Sequence, residues 1–242
     1  MPKMISPGDD VHTVFRTINR EFLFKSPKDH ELFLIALRRQ ARRYKVQHYA
    51  WIGMSNHHHL FNQSAYQWHS ETSFAKGQLI KRKEFPVEFM VRDTQSYFAK
   101  LFNHVNCRDG DLIKDRTKTI KVYGNHHAMV LLIYIFLNPV RAGIVTHPKK
   151  YPFSNYYQYA YGKDNFKGLF SLHPAFLALG HHCQDRQEKF RYLIDQSIGD
   201  WGIHKWPGAS GTHGPGRDSE TKAFKEFFEH SYNWLNSVAP SY

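Results

Sequence analysis

Two stretches of this chain hold residues whose types and spacing suit chemistry. In Met54-Ser55-Asn56-His57-His58-His59-Leu60-Phe61, His57 and His59 stand two apart at the start of an apolar run. In Tyr134-Ile135-Phe136-Leu137-Asn138-Pro139, a tyrosine and an asparagine stand four apart in a hydrophobic helical pattern. Side chains alternate across a strand, so His57 and His59 share one face while His58 and Leu60 share the other. On a helix, residues four apart lie one above the other, so Tyr134 and Asn138 project the same way. Should the two segments meet in space, two imidazoles and a carboxamide oxygen would suit a divalent cation with open positions, Mg²⁺ or Mn²⁺. Such an ion polarises a phosphodiester oxygen and orients the phosphate for attack. Attack by a tyrosine hydroxyl gives a covalent phosphotyrosine, which keeps the bond energy for later rejoining. The same spacings fit surface or core histidines and a tyrosine that only packs, and spacing alone leaves both readings open.

The elements that must position these residues follow from periodicity and end signals. Val11 to Ile18 is β-branched and aromatic-rich, which predicts a first strand. Ser26-Pro27-Lys28-Asp29 opens a helix, with serine as cap, proline at the first position and Asp29 completing a capping box. That helix runs to about Tyr44, with Leu32, Ile35 and Ala36 on its apolar side. Arg38, Arg39, Arg42 and Arg43 collect at its C-terminal end, where the helix dipole favours cations. Val46 to Met54 and His57 to Gln63 read as an antiparallel hairpin turning at Ser55-Asn56. Residues 64–88 are polar, with Lys81-Arg82-Lys83, and read as an insertion or long loop. A second helix spans roughly Glu88 to Val105, then a basic loop leads into a short strand, Thr119 to Tyr123.

Asn125 can cap the helix that carries Tyr134, and Pro139 places Asn138 in its last turn. The aromatic run Tyr151-Pro152-Phe153-Ser154-Asn155-Tyr156-Tyr157 could stack bases, although a packing role for most of these rings is the simpler reading. Gln187 to Gln196 is the clearest of several small helices beyond residue 164. The β-α-β-β-α-β-α order is close to a split βαβ arrangement, an antiparallel sheet with helices on one face and the other left for a site.

Composition sets the outer limits. The chain has 242 residues, enough for one substantial core and a smaller appendage. It is 41% hydrophobic and 16% aromatic, which argues for a folded protein over a disordered one. Formal net charge is +12, which points to a polyanion as partner, and nucleic acid is the usual one. Cys107 and Cys183 form no framework, so a reducing cytoplasm is the default. The Met1-Pro2-Lys3-Met4 start has no apolar signal core. The longest apolar run, Ala128 to Leu137, is about half of what a spanning helix needs. The expectation is a soluble cytoplasmic protein.

With both motifs in this order, the chain resembles the HUH single-tyrosine transposases, closest to the REP-associated tyrosine transposases and their transposase-like relatives. The resemblance rests on Met54 to Leu60 and on Tyr134-Ile135-Phe136-Leu137-Asn138-Pro139-Val140-Arg141-Ala142-Gly143. Thr17-Ile18-Asn19-Arg20, Tyr151 to Tyr156, and the His173-Pro174 to Leu179-Gly180 segment support it, so that it covers roughly residues 11 to 195. It implies an α/β (α+β) chain with a ferredoxin-like or RRM-like core, whose antiparallel sheet bears the histidine pair, plus a C-terminal helical extension. The layout expected is a catalytic domain over 1–160 with an insertion at about 64–88, then a helical extension over 161–198. A Gly/Pro-rich linker over 199–217 and an amphipathic helix within 218–242 would follow.

The implied activity is metal-dependent cleavage and rejoining of single-stranded DNA near a hairpin, through a 5′-phosphotyrosine and a released 3′-hydroxyl. Tyr134 would be the nucleophile, His57 and His59 metal ligands, and Asn138 the third ligand to Mg²⁺ or Mn²⁺. Arg16, Arg20, Lys114, Arg116, Lys118, Lys121 and Arg141 are the expected contacts to nucleic acid. The alternative is a domesticated, non-catalytic binder of structured single-stranded DNA or RNA. Related enzymes include dimers and monomers, so either assembly fits. A structural metal protein is a third reading, raised by His126-His127 and His181-His182-Cys183, but these spacings form no standard zinc site. Two departures stand out. The position between the histidines, normally apolar, is His58, facing the side that should be packed. The 64–88 insertion is also long. A buried imidazole needs a hydrogen-bond partner, so the expectation is either a shifted strand or a His58 less buried than its position implies.

Overall fold

A computed structural model describes residues 5–64, 69–75, 78–84, 86–113 and 117–201. Lys114 and Arg116, nearly all of the linker expected at 199–217 and the whole 218–242 helix lie outside the described residues. The elements run β1 (Asp10–Arg16), α1 (Pro27–Tyr44), β2 (Gln47–Gly53), β3 (His57–Gln63), β4 (His69–Ala75), β5 (Gln78–Glu84) and α2 (Pro86–Val105). They continue with β6 (Lys118–Val122), α3 (Gly124–Arg141), α4 (Tyr156–Tyr161), α5 (Pro174–Leu177) and α6 (Cys183–Trp201). Contacts divide the chain into two units. One holds residues 1–122 and 152–173, the other 123–151 and 174–242. No helix among the described residues is long and apolar enough to cross a membrane.

The first unit is built on a four-stranded antiparallel sheet in the order β2-β3-β1-β6. With β6 counted as the fourth strand this is the ferredoxin-like order, so the chain has the α+β fold its sequence implied. Pairing fixes the faces. Phe15 stands opposite His58 and Thr13 opposite Leu60, while Arg16 stands opposite His57 and Val14 opposite His59. Trp51 lies opposite Leu60, on the same face as His58. That face is the packed one. Val11, Phe15, Trp51 and Leu60 join Leu32, Phe33, Ala36 and Leu37 of α1 and Phe89, Phe98 and Phe102 of α2 in one buried core.

Local signals account for α1. Ser26 accepts from the Asp29 N–H, and Asp29 Oδ2 accepts from the Ser26 N–H at 2.8 Å, which closes the capping box. Ile35, expected on the buried side, is 45% exposed; the apolar stripe runs through Phe33 and Leu37 instead. Three arginines of the cluster are turned to protein partners. Arg38 donates to the Phe166 carbonyl, Arg43 pairs with Asp93 and Arg39 lies over the Tyr97 ring.

Residues 64–88, expected as an insertion or long loop, are not a loop throughout. They hold β4 and β5, a two-stranded antiparallel sheet of their own, in register from His69↔Glu84 to Ala75↔Gln78. The stretch is too polar to show a buried face, so periodicity gave no strand signal there. The 152–157 aromatic run packs against the β2 edge. Phe153 lies on His30, and Asn155 accepts from the Trp51 N–H and donates to the Tyr49 carbonyl.

In the second unit α3 packs with α5 and α6, with Phe136 and Phe176 both edge-on to Phe190. Asn125 does not cap α3. The cap residue is Tyr123, whose N–H donates to Nδ1 of His127 at 3.1 Å.

Candidate active site

In the first unit the candidate residues gather where β1 ends and β3 begins. The β2–β3 turn is tied down by the segment after β1. Thr17 N–H donates to the Asn56 carbonyl at 3.0 Å, and Phe24 N–H donates to the Ser55 carbonyl at 3.0 Å. Between these ties, Asn19 and Arg20 take positive φ values of 50° and 58°. Two consecutive non-glycine residues in the left-handed region are strained, and such strain collects at functional sites. A pocket of about 300 Å³ lined by Arg16, Thr17, Asn19 and Arg20 lies here, beside His57.

His57 and His59 share the face opposite the packed core, as alternation requires. Their rings are 5.0 Å apart and nearly perpendicular, at 82°. His57 is half-buried and His59 is buried. Each ring is held through Nδ1. His57 Nδ1 donates to Asn56 Oδ1 at 2.6 Å, because an amide oxygen can only accept. The Asn56 carboxamide is oriented in turn by donating to the Arg20 carbonyl. His59 Nδ1 lies 2.9 Å from Nε2 of His12, and these two rings stack 14° from parallel.

Burial pushes His57 down to about 4, with help from the Arg16 and Arg20 charges. Burial also holds His59 well below its usual range, assisted by His57, His12 and Arg16. Both rings are therefore neutral at neutral pH, the form that binds metal. Rings held through Nδ1 by an outer partner are the usual arrangement of metal-bound histidines, so the donor chemistry fits a divalent cation. Among the described residues no three His, Cys, Asp or Glu side chains are grouped to hold an ion. The rest of a coordination shell would come from a carboxamide, phosphate or water.

His58 contradicts both expectations for it. The strand is not shifted, and His58 is fully buried. Phe24, Phe33 and His30 surround it, and Nδ1 accepts from the Trp51 indole N–H at 3.3 Å.

In the second unit α3 carries the other candidates. From His127 to Pro139 every residue is buried except Tyr134 and Asn138, one turn apart. Pro139 has no N–H to give the Ile135 carbonyl. Asn138 Nδ2 donates there at 3.2 Å, and to the Tyr134 carbonyl at 2.9 Å. With its nitrogen turned into the helix, the carboxamide directs its oxygen away, the atom a cation would take. Arg141 continues the stripe, its guanidinium 5.0 Å from the Tyr134 ring centre.

The structure thus brings the candidates together in two groups, Arg16, Arg20, His57 and His59 in one unit and Tyr134, Asn138 and Arg141 in the other. Lys118 pairs with Val14 at the β1–β6 edge. Lys121 is engaged by Asp9 at 2.7 Å, which compensates its charge. His12 and Asn56 were not singled out from sequence. Asn56 was visible as the residue before His57, but His12 becomes neighbour to His59 only through the β1–β3 register.

No protein-family model and no curated protein sequence matches this chain. A solved structure of a REP-associated tyrosine transposase bound to a REP hairpin does match. Its TM-score is 0.50 at 17% identity, covering 72% of this chain and 92% of that one. At that identity the likeness is one of fold.

Proposed function

We propose that this protein is a metal-dependent endonuclease and strand transferase for hairpin-bearing single-stranded DNA, working through a 5′-phosphotyrosine intermediate. One observation carries the reading. Two neutral imidazoles share a face, each tied through Nδ1, beside a strained two-arginine pocket. The fold's likeness to a transposase solved on a DNA hairpin supports the substrate class.

His57, His59 and Asn138 would hold Mg²⁺ or Mn²⁺, which when bound polarises a non-bridging phosphate oxygen. Tyr134 Oη forms the new bond to phosphorus as the P–O3′ bond breaks. The phenolic proton leaves to solvent and the departing 3′ oxygen takes one up, so a 3′-hydroxyl and a 5′-phosphotyrosine result. An incoming 3′-hydroxyl reverses the step and reseals the strand without a nucleotide cofactor. Arg16 and Arg20 fix the phosphate, with Arg141, Lys114, Arg116, Lys118 and Lys121 neutralising the flanking backbone. Lys121 contributes least, because Asp9 already holds it. The exposed thiols of Cys107 and Cys183 suit a reducing cytoplasm.

The test is a covalent-trapping gel with labelled single-stranded hairpin DNA, Mn²⁺ or EDTA, and denaturation before electrophoresis. A labelled band at the summed mass, dependent on metal and lost in Tyr134→Phe, is expected. Tight binding without a band would favour the domesticated binder. Absence of binding to any hairpin would overturn both.

A further inference from the structure

We propose that His12 is a positioning residue that sets the tautomer of His59 for metal ligation; this rests on the reading of His59 as a ligand. His12 lies on β1 opposite Phe61, and His59 on β3 opposite Val14, which makes them diagonal neighbours on one face. Both are buried, at 3% and 4% exposure, and His12 Nε2 meets His59 Nδ1 at 2.9 Å. Two imidazole nitrogens at that distance need one proton between them, so one ring donates and the other accepts. Geometry alone allows either direction. The proposed ligation requires one of them.

A histidine that gives the Nε2 lone pair to a cation carries its proton on Nδ1, so His59 must donate. His12 must then accept through Nε2 and keep its own proton on Nδ1. The near-parallel stack, 5.1 Å between centres, holds the acceptor in place. On the neighbouring ring Asn56 does the same work with an oxygen that can only accept. His12 could instead donate to His59, which would move the His59 proton to Nε2 and block the metal lone pair. The proposal excludes that state in the folded chain.

The experiment compares Mn²⁺ binding to the full chain, by electron paramagnetic resonance of unbound Mn²⁺, in wild type, His12→Phe, His12→Gln and His59→Ala. Phenylalanine keeps the ring but has no acceptor, whereas glutamine returns an oxygen near the same place. Affinity should fall on the order of 10–100-fold in His12→Phe and return to within a few-fold in His12→Gln. Nitrogen-15 NMR of wild type without metal should show the His59 proton on Nδ1, a readout that needs no variant to fold. Wild-type affinity in His12→Phe, or a His59 proton on Nε2, would overturn the proposal. Wild-type Mn²⁺ binding unchanged in His59→Ala, or none at all, would instead remove His59 as a ligand and the inference with it.

Discussion

The two faces of the sheet at β3 receive the same residue type and treat it differently. On the packed face His58 is enclosed by Phe24, Phe33 and His30, and it accepts a hydrogen bond from Trp51. On the other face His57 and His59 stand beside Arg16 and are held through Nδ1 by Asn56 and His12. Burial keeps all three neutral. The difference therefore lies in the partners. His58 is enclosed by aromatic rings and packs among them. His57 and His59 each meet a polar atom through Nδ1, the contact that metal-bound histidines usually make. Neutrality is cheap to obtain by burial; orientation requires specific neighbours.

The largest test of this contrast separates activity from stability. His57→Ala should cut covalent adduct formation by about 100-fold or more while shifting the melting temperature only a little. His58→Ala should do the reverse, costing about 2–4 kcal/mol for a cavity in the aromatic cluster. If the adduct assay and thermal melts rank the two variants alike, the faces do not divide labour.

Acid should strike the packed side next. Burial pushes His30 and His48 down to about 4 from an ordinary 6.5, against an opposing pull from Asp29 on His30 and from Asn62 on His48. Folded pKa values below the unfolded ones mean that the unfolded chain binds more protons between pH 4 and 6.5. Stability is then complete above about pH 6.5 and is lost as pH falls toward 4, by about 3 kcal/mol per histidine. Urea unfolding at pH 7 and pH 5 measures the slope, and equal midpoints would contradict it.

Gly53→Ala acts on the same side through space. A Cβ there would sit 2.5 Å from His30 Nδ1 and 2.9 Å from the Trp51 ring, which two packed rings cannot both yield. Overpacking should cost about 1–3 kcal/mol in a chemical melt and leave Mn²⁺ affinity unchanged. A fall in affinity would mean that the packed face governs the face that carries His57 and His59.

Much of this arrangement was legible in the residues because strand and helix periods are strict. His57–Gln63, the Ser26 capping box and the Tyr134–Asn138 stripe all follow from local pattern and stand in the structure. What local pattern could not supply was anything set by register or by another element. His12 reaches His59 only through β1–β3 pairing, and His58 finds Trp51 only through β2–β3 pairing. The β4–β5 pair carries no local signal because its sequence, HSETSFA and QLIKRKE, does not alternate apolar with polar residues. Asn125 looked like a cap by type, yet the His127 imidazole took the Tyr123 N–H instead. The carboxamide of Asn138 shows both kinds of information at once. Pro139 is visible as a helix disturbance, but its missing donor explains the Asn138 orientation only once the Ile135 carbonyl is in view.

The smallest effect bears on the bond that makes His58 a core residue. Trp51 Nε1 donates to His58 Nδ1 at 3.3 Å, with both side chains buried. Trp51→Phe leaves the Nδ1 lone pair without a donor, and His58→Leu leaves the indole N–H without an acceptor. Each single change thus strands a buried polar atom, at about 1–3 kcal/mol, besides altering the packing. The double variant strands neither. Its loss should be smaller than the sum of the singles by about 1 kcal/mol, which a double-mutant cycle on urea midpoints resolves. Additive losses would mean that the contact contributes nothing and that His58 is held by its aromatic neighbours alone. Adduct formation normalised to folded protein should stay level across the cycle, because no partner of His57 or His59 has been touched.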